Sequence, residues 1–206
     1  MSKIHPQAPH VPLVSHPFTT STQETFTIWM KSLILGGKGC TVFDSNGRIL
    51  YRVDNYNCKC SHEVDLLDLT GKVLFTIRRK KFRLVRFWDR ERFRSFNGRV
   101  NDEDKNPGFE VRKRCRVLRG GSMCEVVVWF DKDQPCQRYQ IESCPDRSSF
   151  KIVDKLDRLI TEVKRKQSKC GISLGEDVLT MVVEPQIDHS LIMGLVVAYA
   201  LINGLM

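Results

Sequence analysis

The last stretch of this chain constrains its fold more than any other. Residues 191–202 run without a charge, and the only polar side-chain atom there belongs to Tyr199. Asp188 is a good N-cap and Pro185 punctuates the approach, which predicts a helix over about 188–203. That helix is hydrophobic all round, so protein or lipid must wrap it on every side. A bilayer span needs about 20 apolar residues, whereas a run of about 10–14 is the length of a buried core helix. No Lys or Arg follows the run to anchor a far end. Length and flanks thus favour a core helix over a short tail anchor. Gly194 and Ala198 make room for close packing along it.

Almost everything upstream reads as strands. Residues 1–23 hold Pro6, Pro9, Pro12 and Pro17 without periodicity, and are expected to form a flexible leader. From residue 24 onward a single domain is expected. Its first strand lies in TFTIWMKSLIL. Further runs follow at 40–44, 49–53, 64–69, 73–77, 87–96, 109–118, 125–130, 138–143, 150–154, 159–164 and 178–184. Short runs separated by Gly, Asn, Asp or Pro argue for an all-β sandwich or barrel.

A weak repeat sharpens this. DSNGRILYRV (44–53), DLTGKVLFTI (68–77) and DKLDRLITEV (154–163) share a strand end, a tight turn, a basic residue and a returning strand. Asp157 stands where the other two have Gly. The turn demands a positive φ, and the strands it joins are antiparallel. Alternation gives these strands one dry face: Phe109 and Val111 oppose Glu110, Arg112 and Arg114, while Tyr139 and Ile141 oppose Arg138 and Gln140. A sandwich would leave the apolar helix on an outer face. A closed antiparallel β-barrel of about twelve strands can enclose it.

The blocks WMKSLILGGKGCTVFDSNGRILYRVDNY, DLTGKVLFTIRRKK and VLTMVVEPQIDHSLIMGLVVAYAL resemble the plant LURP-one-related family, and the likeness runs from about residue 25 to 206. That family is similar to the tubby C-terminal domain and to phospholipid scramblases. The resemblance implies a twelve-stranded barrel around a central hydrophobic helix. It also implies a place among membrane-tethered transcription regulators and plant defence proteins, with scramblase-like activity as an alternative. It brings no catalytic residue, and the acidic calcium-binding segment and long cysteine-rich tract of scramblases are not visible here.

The chemistry-bearing residues point the same way. No GxSxG, P-loop, GxGxxG or HExxH pattern occurs, so no enzyme activity, cofactor or metal site is expected. Gly36, Gly37, Lys38 and Gly39 form a turn without the following helix that gives phosphate loops their anion affinity. The eight cysteines contain no CxxC pair, and residues 1–23 have no apolar signal segment, so reduced thiols in a cytoplasmic, membrane-peripheral or nuclear protein are expected. His189 reads as a hydrogen-bonded structural residue, with Glu184 and Asp188 as loop and cap groups.

Charge is the one functional signal. The chain carries +9, which favours anionic partners. Basic clusters occur at 78–94, at Arg112, Arg114 and Arg116, and at Lys164, Arg165, Lys166 and Lys169. Arg78, Arg79, Lys80 and Lys81 are the expected ligand-binding residues for an anionic phosphate, foremost a phosphoinositide head group. Alternation would send these four side chains to opposite faces, so a strand end is expected near Arg79. Nucleic acid is the rival ligand, and a solvated outer face is the bland reading.

Overall fold

The repeated Asp-led segments fold alike in the computed structural model, which describes residues 18–31, 39–54, 63–79, 92–97, 107–114, 123–129, 137–144, 148–168 and 170–205. Asp44 Oδ1 accepts from the N–H groups of Asn46 and Arg48, each at 2.8 Å. Asp68 Oδ1 does the same for Thr70 and Lys72, and Asp154 Oδ1 for Leu156 and Arg158. The left-handed positions are Gly47 (φ 78°), Gly71 (φ 79°) and Asp157 (φ 57°). A register shift lies beside each turn, at Val42/Phe43, Leu66/Leu67 and Ile152/Val153. This is the hairpin in which a tight turn and one left-handed residue create a bulge.

These and the remaining connections order the strands β1 (Glu24–Trp29), β2 (Cys40–Phe43), β3 (Ile49–Asp54), β4 (Glu63–Asp68), β5 (Val73–Arg79), β6 (Arg92–Asn97), β7 (Pro107–Arg114), β8 (Met123–Val128), β9 (Gln137–Ser143), β10 (Ser149–Asp154), β11 (Leu159–Arg165) and β12 (Val178–Val183). Each pairs antiparallel with its sequence neighbours, and β1 closes the barrel on β12, with Glu24 opposite Val183 and Trp29 opposite Val178. Closure removes the free edges that a sheet of short strands would otherwise expose. The strand expected over 87–96 occupies Arg92–Asn97, and the one expected over 109–118 occupies Pro107–Arg114. Residues 87–91 and 115–118 lie outside the described residues.

The barrel encloses α1 (His189–Asn203). Asp188 caps it, accepting from Ser190 N–H at 2.8 Å and Leu191 N–H at 3.2 Å. Gly204, at φ 67°, ends it in a left-handed cap. Every residue from His189 to Ala200 is buried, as is Ile202. At 15 residues the helix is about 22 Å long, and no helix among the described residues is long and apolar enough to cross a membrane. It approaches the barrel wall closely at Gly194, where an added Cβ would lie 2.8 Å from the Phe109 ring and 3.5 Å from Phe75.

Residues 18–23, read from sequence as the end of the leader, run against the helix start. His189 N–H donates to Phe18 O at 3.0 Å, Gln186 N–H donates to Thr20 O at 2.8 Å, and Thr19 bridges to Asp188. Cys40 and Cys124 are buried thiols, and Cys144 and Cys170 are exposed ones. Burial, with the nearby Asp54 charge, pushes the Cys40 thiol up to about 12, which makes it a packing residue. Residues 1–17, Gly36, Gly37, Lys38, Cys58, Cys60, Cys115 and Cys136 lie outside the described residues.

Candidate functional site

The expected phosphate site falls at the end of β5. The described part of the strand runs to Arg79, and the residues beyond it, where the strand end was expected, lie outside the described residues. Arg78 Nε donates to Glu63 Oε2 at 2.5 Å across the β4–β5 pair, so its charge is already matched by a carboxylate. Arg79 is partly buried. Lys80 and Lys81, with Arg83, Arg86, Arg90, Arg116 and Lys169, lie outside the described residues.

Local ion pairing of this kind recurs over the barrel surface. Arg114 reaches Glu125 at 2.7 Å, Arg158 reaches Asp154 at 2.6 Å, Lys164 reaches Glu162 at 3.0 Å and Arg165 reaches Glu176 at 3.3 Å. Such exposed pairs add little to stability and leave little field for a ligand.

One outer groove departs from that pattern. It holds about 470 Å³ and is lined by Arg112, Glu125, Val127, Trp129, Arg138, Gln140 and Lys155. Register builds it. Arg112 stands opposite Glu125 across β7–β8, Val127 opposite Arg138 across β8–β9, and Gln140 opposite Val153 across β9–β10. Lys155 follows β10 directly and is exposed beside Arg138. Arg112 pairs with the fully buried Glu110 on its own strand, and Glu125 is taken by Arg114. Arg138 and Lys155 make no ion pair among the described residues. Two uncompensated cations thus flank a half-buried indole, which can hold a multiply charged oxyanion while the ring lies against its apolar part. Arg112 and Arg138 were visible in sequence as wet-face residues. Their convergence with Lys155 was not, because it depends on register across four strands.

The barrel mouth at the helix start has the opposite character. A cavity of about 740 Å³ is lined by Phe18, Thr20 and residues 22–26, the turns at 44–46 and 68–70, and Leu50, Tyr51 and His189. The His189 ring packs with Phe18, Phe26 and Tyr51 at centroid distances of 5.7, 5.4 and 5.8 Å. Tyr51 Oη is 2.5 Å from His189 Nδ1, and Glu24 Oε2 is 3.7 Å from Nε2. Burial lowers the imidazole's proton affinity, and the charges of Glu24 and Asp188 only partly restore it, so His189 is neutral near pH 7. Burial also pushes the Tyr51 phenol up, keeping it protonated. His189 is hydrogen-bonded and Asp188 is the cap, as expected from sequence. The Tyr51 and Glu24 partners carry no sequence signal.

The comparisons with known proteins match this architecture. The profile of the LURP-one-related family covers residues 24–200. Protein LURP-one-related 11 of Arabidopsis thaliana is 46% identical, over 98% of this chain and 89% of its own length. Protein LURP-one-related 4 of the same organism is 40% identical, over 100% of this chain and 88% of its own. The X-ray structure of an Arabidopsis thaliana protein aligns with a TM-score of 0.62 over 90% of this chain and 94% of that one, at 19% identity, a likeness of fold. A closed barrel of hairpins around a capped apolar helix, together with sequence identity along nearly the whole length, places this chain in the LURP-one-related family.

Proposed function

We propose that this protein is a non-catalytic binding or adaptor module that engages anionic lipid head groups, foremost phosphoinositides, at the cytoplasmic surface of a membrane. One observation carries the reading: Arg138 and Lys155 make no ion pair among the described residues and flank Trp129 in one outer groove, whereas Arg78, Arg114, Arg158, Lys164 and Arg165 each pair with a carboxylate. The net charge of +9 supports it by drawing the chain toward anionic surfaces. Each Lys or Arg close to such a surface contributes about 1 kcal/mol. An interfacial Trp suits the boundary between head group and acyl chain. The strand end at Arg78 and Arg79 is a secondary contact, weakened by Glu63.

Sedimentation with vesicles containing a phosphatidylinositol bisphosphate tests this. Replacing Arg138 and Lys155 together by Ala should weaken binding by about 30-fold, the equivalent of roughly 2 kcal/mol, with the melting temperature unchanged. Unaltered binding by that double variant would overturn the reading. Binding of duplex DNA more tightly than of vesicles, with a steep salt dependence, would replace it with the nucleic-acid alternative. Calcium-stimulated lipid flipping in reconstituted vesicles would replace it with the scramblase-like one.

A further inference from the structure

The barrel-mouth cavity differs from the rest of the surface in charge. The chain carries +9, yet among the described residues the cavity is lined by three carboxylates, Glu24, Asp44 and Asp68, and by no Lys or Arg, with Arg48 and Lys72 acting on Asp44 and Asp68 from beside it. Its volume of about 740 Å³ falls within the range of small-molecule sites, roughly 300–1,000 Å³. Phe18, Phe26 and Tyr51 supply aromatic wall. At its floor His189 is 8% exposed, with Nδ1 bound to Tyr51 Oη and Nε2 without a hydrogen bond among the described residues.

We propose that this cavity is a binding site for a small organic cation bearing primary ammonium groups, an aliphatic polyamine in chemical class. One ammonium sits between Glu24 Oε2 and His189 Nε2, whose 3.7 Å separation leaves both free to accept from it. A second reaches the turn carboxylates. Asp44 and Asp68 each commit Oδ1 to the backbone N–H groups of their own turns, so the ligand pairs with Oδ2. Both carboxyls are held below the usual carboxylate range, at Asp44 chiefly by the Arg48 N–H and at Asp68 chiefly by the Thr70 hydroxyl, so both stay charged at neutral pH. The aliphatic linker lies along the aromatic wall, where cation–π attraction adds to the charge pairing. Accepting at Nε2 requires the tautomer in which Nδ1–H donates to Tyr51 Oη, so the ligand selects a single imidazole form. Protonation of His189 removes that acceptor and adds a like charge, so affinity falls on acidification. Glu24 and Asp188 oppose the effect, and the other neighbours of the ring, Phe18, Phe26 and Tyr51, are uncharged.

The test is a titration of the full chain with spermidine, followed by calorimetry and by the nitrogen chemical shifts of His189. The expected result is saturable binding that moves the Nε2 resonance toward the unprotonated tautomer. Glu24→Gln should weaken it about tenfold with an unchanged melting temperature. A diol of matched length should not bind. Absence of saturable binding, shifts confined to residues away from the mouth, equal binding by Glu24→Gln, or an equal effect from magnesium chloride at the same ionic strength would each overturn the assignment.

Discussion

At the scale of the residue, Asp157 does with a side chain what Gly47 and Gly71 do without one. All three hold positive φ beside a bulge, and only Asp157 carries the steric cost of a Cβ there. Asp157→Gly should therefore stabilise the protein by about 0.5–1 kcal/mol, read from chemical denaturation. No gain would mean that Asp157 makes a compensating interaction. The same turns set the acid limit. Asp44 and Asp68 are held below the ordinary 3.8. Asp154 is as well, because partial desolvation is outweighed by bonds from Arg158 and Leu156. A carboxyl depressed on folding adds stability that is full above 3.8 and is lost as pH falls through the folded value. His189 acts in a higher window. Its folded value is lowered from 6.5, so its unfolded form takes up protons first and stability falls once pH drops below 6.5. Melting temperature against pH should decline in two stages, and His189→Gln should flatten the upper one alone. A curve that stays flat as pH falls below 6.5 would contradict the neutral buried imidazole. The turn chemistry was readable from three aligned Asp residues. The imidazole's partners were not, since Tyr51 is 138 positions away.

At the scale of the element, the helix was legible because nothing else explains an uncharged run of that length. Its cap was legible too, because Asp at that position has one strong use. The local sequence did not show which neighbours crowd the helix at Gly194. Gly194 sits against Phe109 and Phe75, two residues from different strands that no periodicity links to it. An Ala at 194 would place its Cβ 2.8 Å from the Phe109 ring, and Leu would demand far more space. Gly194→Ala should cost about 1–3 kcal/mol despite Ala's better helix propensity, with Gly194→Leu more damaging. A stabilised Gly194→Ala variant would mean that the Phe109 ring moves aside freely. The basic run at the end of β5 shows the opposite limit of sequence reading. Charge density identified it, while the pairing of Arg78 with Glu63 came only from the β4–β5 register.

At the scale of the whole molecule, the barrel follows from two facts that sequence carries together: many hairpins, and one helix that cannot touch water. Twelve strands close because β1 finds β12, and the last strand leads directly into the axis it encloses. Strand register and packing create two surfaces that no segment contains alone. The outer groove joins Arg112, Arg138 and Lys155 from separate hairpins, and the mouth joins carboxylates from β1 and two turns. The binding reading rests on the groove. It is tested most directly by following the amide and indole resonances of the labelled protein during titration with a soluble inositol phosphate. The expected result is saturable movement centred on the Trp129 indole, Val127, Arg138 and Lys155, and its loss in the Arg138→Ala/Lys155→Ala variant. Movement centred instead on Arg78 and Arg79, or none that saturates, would contradict it.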